Sequence, residues 1–373
     1  NGQYQDALAA SLNLTKKYPE ESMIHNITGA CFAGLGQLAS AISSYDKAIK
    51  INPNYAKAHY NLGSAYHELH EFDNAIKSYQ SSLIIDPSYA DAHNNLGNVF
   101  RDNGDLNEAI QSYEKVLNIN PEYFEAHYSL GLTFQELGQL NSMIEHLKKA
   151  VIIKPEEAEA HNRLGLGLEE IGEFNGAVVS FQKAVEINPN FSEAHNNLGN
   201  VLRELERLNE AVDSYKMALE INPDYPALHN NLGNTFIRME QYDDAIKSLL
   251  NGLKINPDFI DLLNNHGVVM TKLGQFEDAI KSFERAISIS PQYYEAYNNL
   301  GVAFNKMGKL DDAIEAFKKS IVTNPDYPDP YNNLTVVFRK KGLINFVNDY
   351  FNKAIDKLTK AIDKNPNNPM LHN

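Results

Sequence analysis

The chain has 373 residues, with 33 Lys plus Arg against 48 Asp plus Glu, a formal net charge of −15. Its 43% hydrophobic content argues against disorder, and its acidic balance disfavours nucleic-acid phosphates and anionic membrane surfaces, which select clustered Lys and Arg. No apolar run approaches the ~18 residues of a membrane span, and the single cysteine, Cys31, excludes an intramolecular disulfide and fits a reducing, cytoplasmic setting.

Proline recurs at Pro19, Pro53, Pro87 and onward to Pro325, always 34 residues apart. Glycine keeps the same interval from Gly29 to Gly301, as does alanine from Ala7 to Ala313, with Met143 the one departure. Such a period marks a stacked-repeat architecture. In chain order, residues 1–21 read as the second helix of a truncated repeat. Residues 22–327 hold nine 34-residue repeats, and residues 328–368 a tenth. Residues 369–373 open a further one, with His372-Asn373 standing where His93-Asn94 stands. Neither end reads as a polar cap, so the chain is expected to be a piece of a longer protein whose uncapped ends permit homo-oligomers.

Each repeat predicts two helices split by a turn such as Gly36-Gln37 or Gly274-Gln275. With Ala90 counted as position 1, His93, Leu96, Gly97 and Phe100 are positions 4, 7, 8 and 11, one helical stripe. The second helix carries Ala109, Ile110, Tyr113, Val116 and Leu117, and Pro121 ends it because proline lacks an amide hydrogen. Glycine inside a helix costs roughly 1 kcal/mol against alanine. Its recurrence predicts a neighbouring helix too close for a side chain, with Ala109 the small residue facing it. The last interval, Pro325 to Pro366, is 41 residues, with seven extra around Leu343 to Asp349 and Thr335 in place of the glycine. Seven residues are about two turns. The insertion is either simply tolerated or a kink before the next module.

The small and aromatic residues Gly63, Tyr66, Ala75, Tyr79 and Pro87, among many instances, resemble tetratricopeptide repeats over essentially the whole chain. The resemblance implies an all-α fold: a right-handed superhelical solenoid of helix-turn-helix repeats whose first helices line a concave groove. The usual large residue at position 4 is here His in seven repeats and Tyr at Tyr297 and Tyr331.

At about 100° per residue, positions 2, 5, 6, 9 and 13 lie opposite the apolar stripe and should line that groove. Position 6 is Asn61, Asn95, Asn197, Asn231, Asn265, Asn299 and Asn333; position 5 includes Asn94, Asn196 and Asn230; position 9 supplies Asn98, Asn200 and Asn234. Asparagine is a poor helix former by roughly 0.6 kcal/mol, yet its amide both donates and accepts, as pairing with an extended peptide backbone requires. The competing reading is inheritance by duplication, with the asparagines bonding between adjacent helices. The column is similar to the asparagine ladder of the O-GlcNAc transferases, which implies a grip on the backbone of protein substrates. Position 5 is Asn or Tyr and position 9 is never basic, so the clamp that certain co-chaperones use for a C-terminal carboxylate looks absent. Position 13 runs acidic at Glu68, Asp102, Glu136, Glu170 and Glu204, then basic at Arg238, Lys272, Lys306 and Lys340; position 2 is mostly acidic. These columns either orient a charged ligand or lie solvated on a rim.

The column from His25 to His229 places one imidazole per repeat, too far apart to converge on a metal ion at about 2 Å. These histidines read as packing residues, so neither a metal nor any cofactor is expected. Cys31 reads as a small core residue, and no isolated carboxylate pair or phosphate-binding loop suggests catalysis. The expected function is a non-catalytic scaffold binding extended protein segments. The alternative is the substrate-recruiting arm of a larger transferase of the O-GlcNAc or sulfotransferase type. Alanine at Asn197, Asn231 and Asn265 should cut peptide affinity and leave stability nearly unchanged.

Overall fold

The computed structural model describes residues 2–343 and, beyond them, 346–347, 352–353, 355–356 and 359–360. Most of the seven-residue insertion, Pro366 and the further repeat opening at 369–373 lie outside the described residues. Backbone contacts divide the chain into two units, Asn1–Asn188 and Pro189–Asn373.

The first unit holds α1 (Gly2–Lys17), α2 (Ser22–Gly34), α3 (Leu38–Ile51), α4 (Ala56–Glu68), α5 (Phe72–Ile85), α6 (Ala90–Asp102), α7 (Leu106–Ile119), α8 (Phe124–Glu136), α9 (Leu140–Ile153), α10 (Ala158–Glu170) and α11 (Phe174–Ile187). The second holds α12 (Ser192–Glu204), α13 (Leu208–Ile221), α14 (Pro226–Arg238), α15 (Tyr242–Ile255), α16 (Ile260–Lys272), α17 (Phe276–Ile289), α18 (Tyr294–Met307), α19 (Leu310–Thr323) and α20 (Asp329–Lys340). Among the described residues there is no strand. Even-numbered helices are first helices, and those from α2 to α18 each pack most heavily on the odd-numbered helix that follows.

The sequence explains both punctuation marks. Second helices end at an extended residue before proline, and there the Asn or Asp side chain folds back in an Asx turn: Asn120 Oδ1 accepts from the Glu122 amide at 3.1 Å and Asn324 Oδ1 from Asp326 at 3.0 Å. Between the helices of a pair one residue is left-handed, usually glycine, as at Gly104 (φ 85°). His70, Glu206 and Glu240 hold the same turn at φ 56°, 58° and 58°, a conformation costing a side chain about 1–2 kcal/mol.

The recurrent helical glycine lies under a large side chain of its own second helix. A Cβ on Gly97 would sit 2.5 Å from the Tyr113 ring, one on Gly267 2.6 Å from Phe283, and one on Gly131 2.7 Å from Leu147. The facing alanines, Ala109 and Ala279 among them, are fully buried, and Met143 is equally buried in its place. First helices are covered more widely than one stripe requires. Positions 3 and 10 are also sealed, as at Ala92, Val99, Leu262 and Val269, because within each unit a first helix packs on the preceding second helix as well as on its own partner. What stays open is a narrow strip.

Candidate peptide-binding site on the first helices

That strip carries a hydrogen-bond chain between neighbouring repeats. The Nδ2 of a position-6 asparagine donates to the position-5 side chain of the preceding first helix, 35 residues earlier. Asn61 donates to Asn26 Oδ1 at 2.8 Å, Asn231 to Asn196 at 2.9 Å, Asn265 to Asn230 at 2.9 Å, Asn299 to Asn264 at 3.0 Å and Asn333 to Asn298 at 2.9 Å. Where position 5 is Tyr60, its hydroxyl takes the bond from Asn95 at 3.0 Å. Where it is Tyr128, the partner is Arg163.

Positions 5 and 6 therefore do different work. Asn264 and Asn298 are buried, and Asn196 and Asn230 half-buried, serving as acceptors between helices, while Asn94 is buried without that bond. Asn61, Asn95, Asn231, Asn265, Asn299 and Asn333 are half-buried, and Asn197 is buried at 8% exposure. As donors, the Nδ2 groups of Asn196 and Asn94 reach the Oδ1 of Asn197 and Asn95 only at 3.5 and 3.4 Å. Alanine at Asn231 or Asn265 would strand the Oδ1 of Asn196 or Asn230, so the expectation of almost unchanged stability gives way to a loss of about 1 kcal/mol per site.

Position 9 is held differently. The Tyr113 hydroxyl donates to Asn98 Oδ1 and Tyr215 to Asn200 Oδ1, each at 2.8 Å. Burial pushes Tyr113 up to about 12, which keeps its proton in place to donate. In the pair that carries Asn234, Leu249 stands where Tyr113 and Tyr215 stand and covers Gly233, so no tyrosine hydroxyl is there to fix the amide.

One break in the chain tests its energetics. Ser129 replaces the position-6 asparagine and turns instead to Asn98 Oδ1 at 3.5 Å, and Asn94 Oδ1 is left buried without a donor. A buried unmet acceptor costs about 1–3 kcal/mol. Ser129→Asn should restore the bond and raise the denaturant midpoint, by about 1 kcal/mol in unfolding free energy. An unchanged or lowered midpoint would show that the bond contributes nothing.

The flanking charges are largely engaged. Asp91 and Asp261, at position 2, accept from the hydroxyls of Tyr123 (2.6 Å) and Tyr293 (2.8 Å). At positions 12 and 13, His67 meets Asp102 at 2.8 Å, Arg101 lies 3.9 Å from Glu136, and Arg238 bridges Glu204 and Glu206. The position-4 histidines tie each helix start to the preceding turn. Their Nε2 donates to the carbonyl of the proline six residues earlier, at 2.8 Å for His25 to Pro19, 3.0 Å for His93 to Pro87 and 3.0 Å for His195 to Pro189. Tyr331 does the same to Pro325 at 3.0 Å. Cys31 is buried.

The spacing of positions 5, 6 and 9 concealed one set of open residues. Val268, Val302 and Val336 occupy position 9 in the last three pairs, where they are partly or wholly exposed. Their signal was the replacement of asparagine by valine down one column.

Paired helices in register, a sealed apolar seam and a polar strip repeated every 34 residues define an α-solenoid built for surface recognition. Family models described as "TPR repeat" match residues 32–70, 64–104, 97–138, 168–202, 199–240 and 267–308; others described as "Tetratricopeptide repeat" match 226–259, 294–327 and 124–157. The chain belongs to the tetratricopeptide-repeat family. Among solved structures it is similar to the APC/C hetero-tetramer Cut9–Hcn1, at 15% identity over 100% of this chain and 92% of that one, with a TM-score of 0.50. It is also similar to MamA (29% identity, 43% of this chain and 95% of that, TM-score 0.43). YrrB, described as a TPR protein with an unusual peptide-binding site, follows at 23% identity over 51% of this chain and 97% of that, TM-score 0.42. No curated protein matches the sequence. Among the described residues, no helix is long and apolar enough to cross a membrane.

Proposed function

We propose that the chain is a non-catalytic scaffold that binds extended segments of partner proteins along its first helices. The observation that carries this reading is the fixed orientation of the asparagine amides. At Asn231, Asn265, Asn299 and Asn333 the Nδ2 is tied to the preceding helix, which leaves the Oδ1 as the acceptor for peptide N–H groups. At Asn98 and Asn200 the Oδ1 is tied to tyrosine, which leaves the Nδ2 to donate to peptide carbonyls. Groups already held in place lose little entropy when a ligand arrives. The same geometry would serve a substrate-recruiting arm of a larger transferase, a choice that the parent reading frame decides.

Alanine at Asn231, Asn265 and Asn299 together should weaken binding of an extended peptide about tenfold or more, the equivalent of one or two lost hydrogen bonds. Affinity is read by fluorescence anisotropy well below the variant's unfolding midpoint. Intact affinity alongside a lowered midpoint would assign these residues to stability alone.

A further inference from the structure

The recognition strip of the second unit changes chemistry along its length. At position 9, Asn200 and Asn234 give way to Val268, Val302 and Val336, the last 45% exposed. Beneath them the second-helix residue changes from Tyr215 to Phe283 and Phe317, which offer no hydroxyl to anchor an amide. Position 13 changes in step. Arg238 is neutralised by Glu204 and Glu206. Lys272 and Lys306 are exposed and have no carboxylate partner among the described residues, and Lys340 donates only to Asn305 Oδ1 at 2.8 Å. The nearest acids on these helices are occupied: Asp261 accepts from Tyr293, and Glu295 is hydrogen-bonded to Tyr294. Between α16 and α18 lies a depression of ≈ 200 Å³ lined by Val268, Val302 and Phe283 together with Asn299, Lys272 and Lys306. For scale, an apolar cavity of about 150 Å³ holds benzene.

Spacing narrows the occupant further. Neighbouring packed helices lie about 8–10 Å apart, so equivalent sites on α16, α18 and α20 recur at that interval. A polyproline-II segment advances about 9.3 Å in three residues and returns to the same face. A β-strand covers a similar length in three residues, but its side chains alternate and the third points away.

We propose that this stretch, resting on the peptide-binding reading above, takes an acidic segment in polyproline-II form with a branched aliphatic residue at every third position. The aliphatic side chains seat against Val268, Val302 and Val336. The asparagines Asn265, Asn299 and Asn333 hold the segment's backbone, and its carboxylates pair with Lys272 and Lys306. The lysines select charge and the valines select shape.

Three labelled peptides of about nine residues, three per helix pair, test this on the whole chain by anisotropy. One has Val at every third position with Asp beside each; the second replaces Asp by Asn; the third replaces Val by Ser. The first should bind about tenfold tighter than the others, and Lys272→Glu with Lys306→Glu should remove that advantage while the second peptide is unaffected. Val268→Asn with Val302→Asn should weaken the first peptide and spare the third. Both variant pairs change exposed or partly exposed side chains, and their thermal midpoints are measured alongside. Equal binding of all three peptides, unchanged by the lysine variants, overturns this assignment and leaves the general reading standing. No binding of any peptide, with the parent chain folded, sinks both.

Discussion

Truncating Phe283 to alanine should destabilise the unit Pro189–Asn373 by about 3–5 kcal/mol, the usual cost of emptying a core aromatic site. The ring is fully buried and packs in a cluster with Met270, Ala279, Leu300 and Ala303. It also lies on the backbone of Gly267, so its loss opens a void that rigid main chain cannot fill. Phe283→Leu should cost under about 1.5 kcal/mol, because Leu147 and Leu249 already cover Gly131 and Gly233 in the same way. Stability in a solenoid is a sum of repeat and nearest-neighbour terms, so the damage should centre on α16–α19. Amide hydrogen exchange in Phe283→Ala should quicken there and much less in α2–α5. A uniform loss of protection across the chain would show a cooperativity wider than nearest neighbours.

Acid should destabilise the first unit through its buried and half-buried histidines. Burial pushes His93, His127 and His161 below their ordinary value, against a partly compensating bond to the proline carbonyl. His146 is pushed to about 4, first by burial and then by repulsion from His127 and Lys149, with Glu145 opposing. The two rings meet Nδ1 to Nδ1 at 3.0 Å, and the carbonyl of Pro121 accepts from His127 Nε2. His127 is then the acceptor and His146 the donor between them. A folded-state value below the unfolded ~6.5 means that the unfolded chain takes up the proton first. The contribution is therefore intact above pH ~6.5 and is lost as pH falls from there toward 4. The thermal midpoint should drop by several degrees across that window. His146→Ser, the residue present at the equivalent Ser112 and Ser180, should flatten the curve. Equal slopes in both proteins would remove His146 from the account.

The fold was legible because its constraints are local and repeated. The proline at each boundary, the glycine under a ring and the alanine against it each carry one physical reason every 34 residues. The helical stripe of Leu96, Gly97 and Phe100 is enough to place the seam, and it marks the position-4 histidines as packing residues, a role that their bonds to proline carbonyls specify. Apart from Cys31, the sealed positions 3 and 10 were not legible, since a single-stripe reading supplies one neighbour to a helix that has several. Nor was the division of labour between Asn196 and Asn231. Both columns look alike in one repeat, and their bond spans 35 residues, one more than the period. Pairs such as Tyr60 with Asn95 held a clue, because the two columns change together across a seam and not within a repeat.

That one-residue offset has a consequence for how the array can be rearranged. Each bond joins halves carried by different repeats, so every bonded seam has a lock from one copy and a key from the next. From Asn196 to Asn333 the described keys and locks are all asparagine, and cutting out or duplicating 34 residues there rejoins matching halves. Near Tyr60–Asn95 and Tyr128–Arg163 they are individual. Excising residues 124–157 would remove Tyr128 and bring its partner Arg163 against Asn94. One stretch of this chain is thus free to grow or shrink by whole copies, while the other keeps its neighbours in a fixed order.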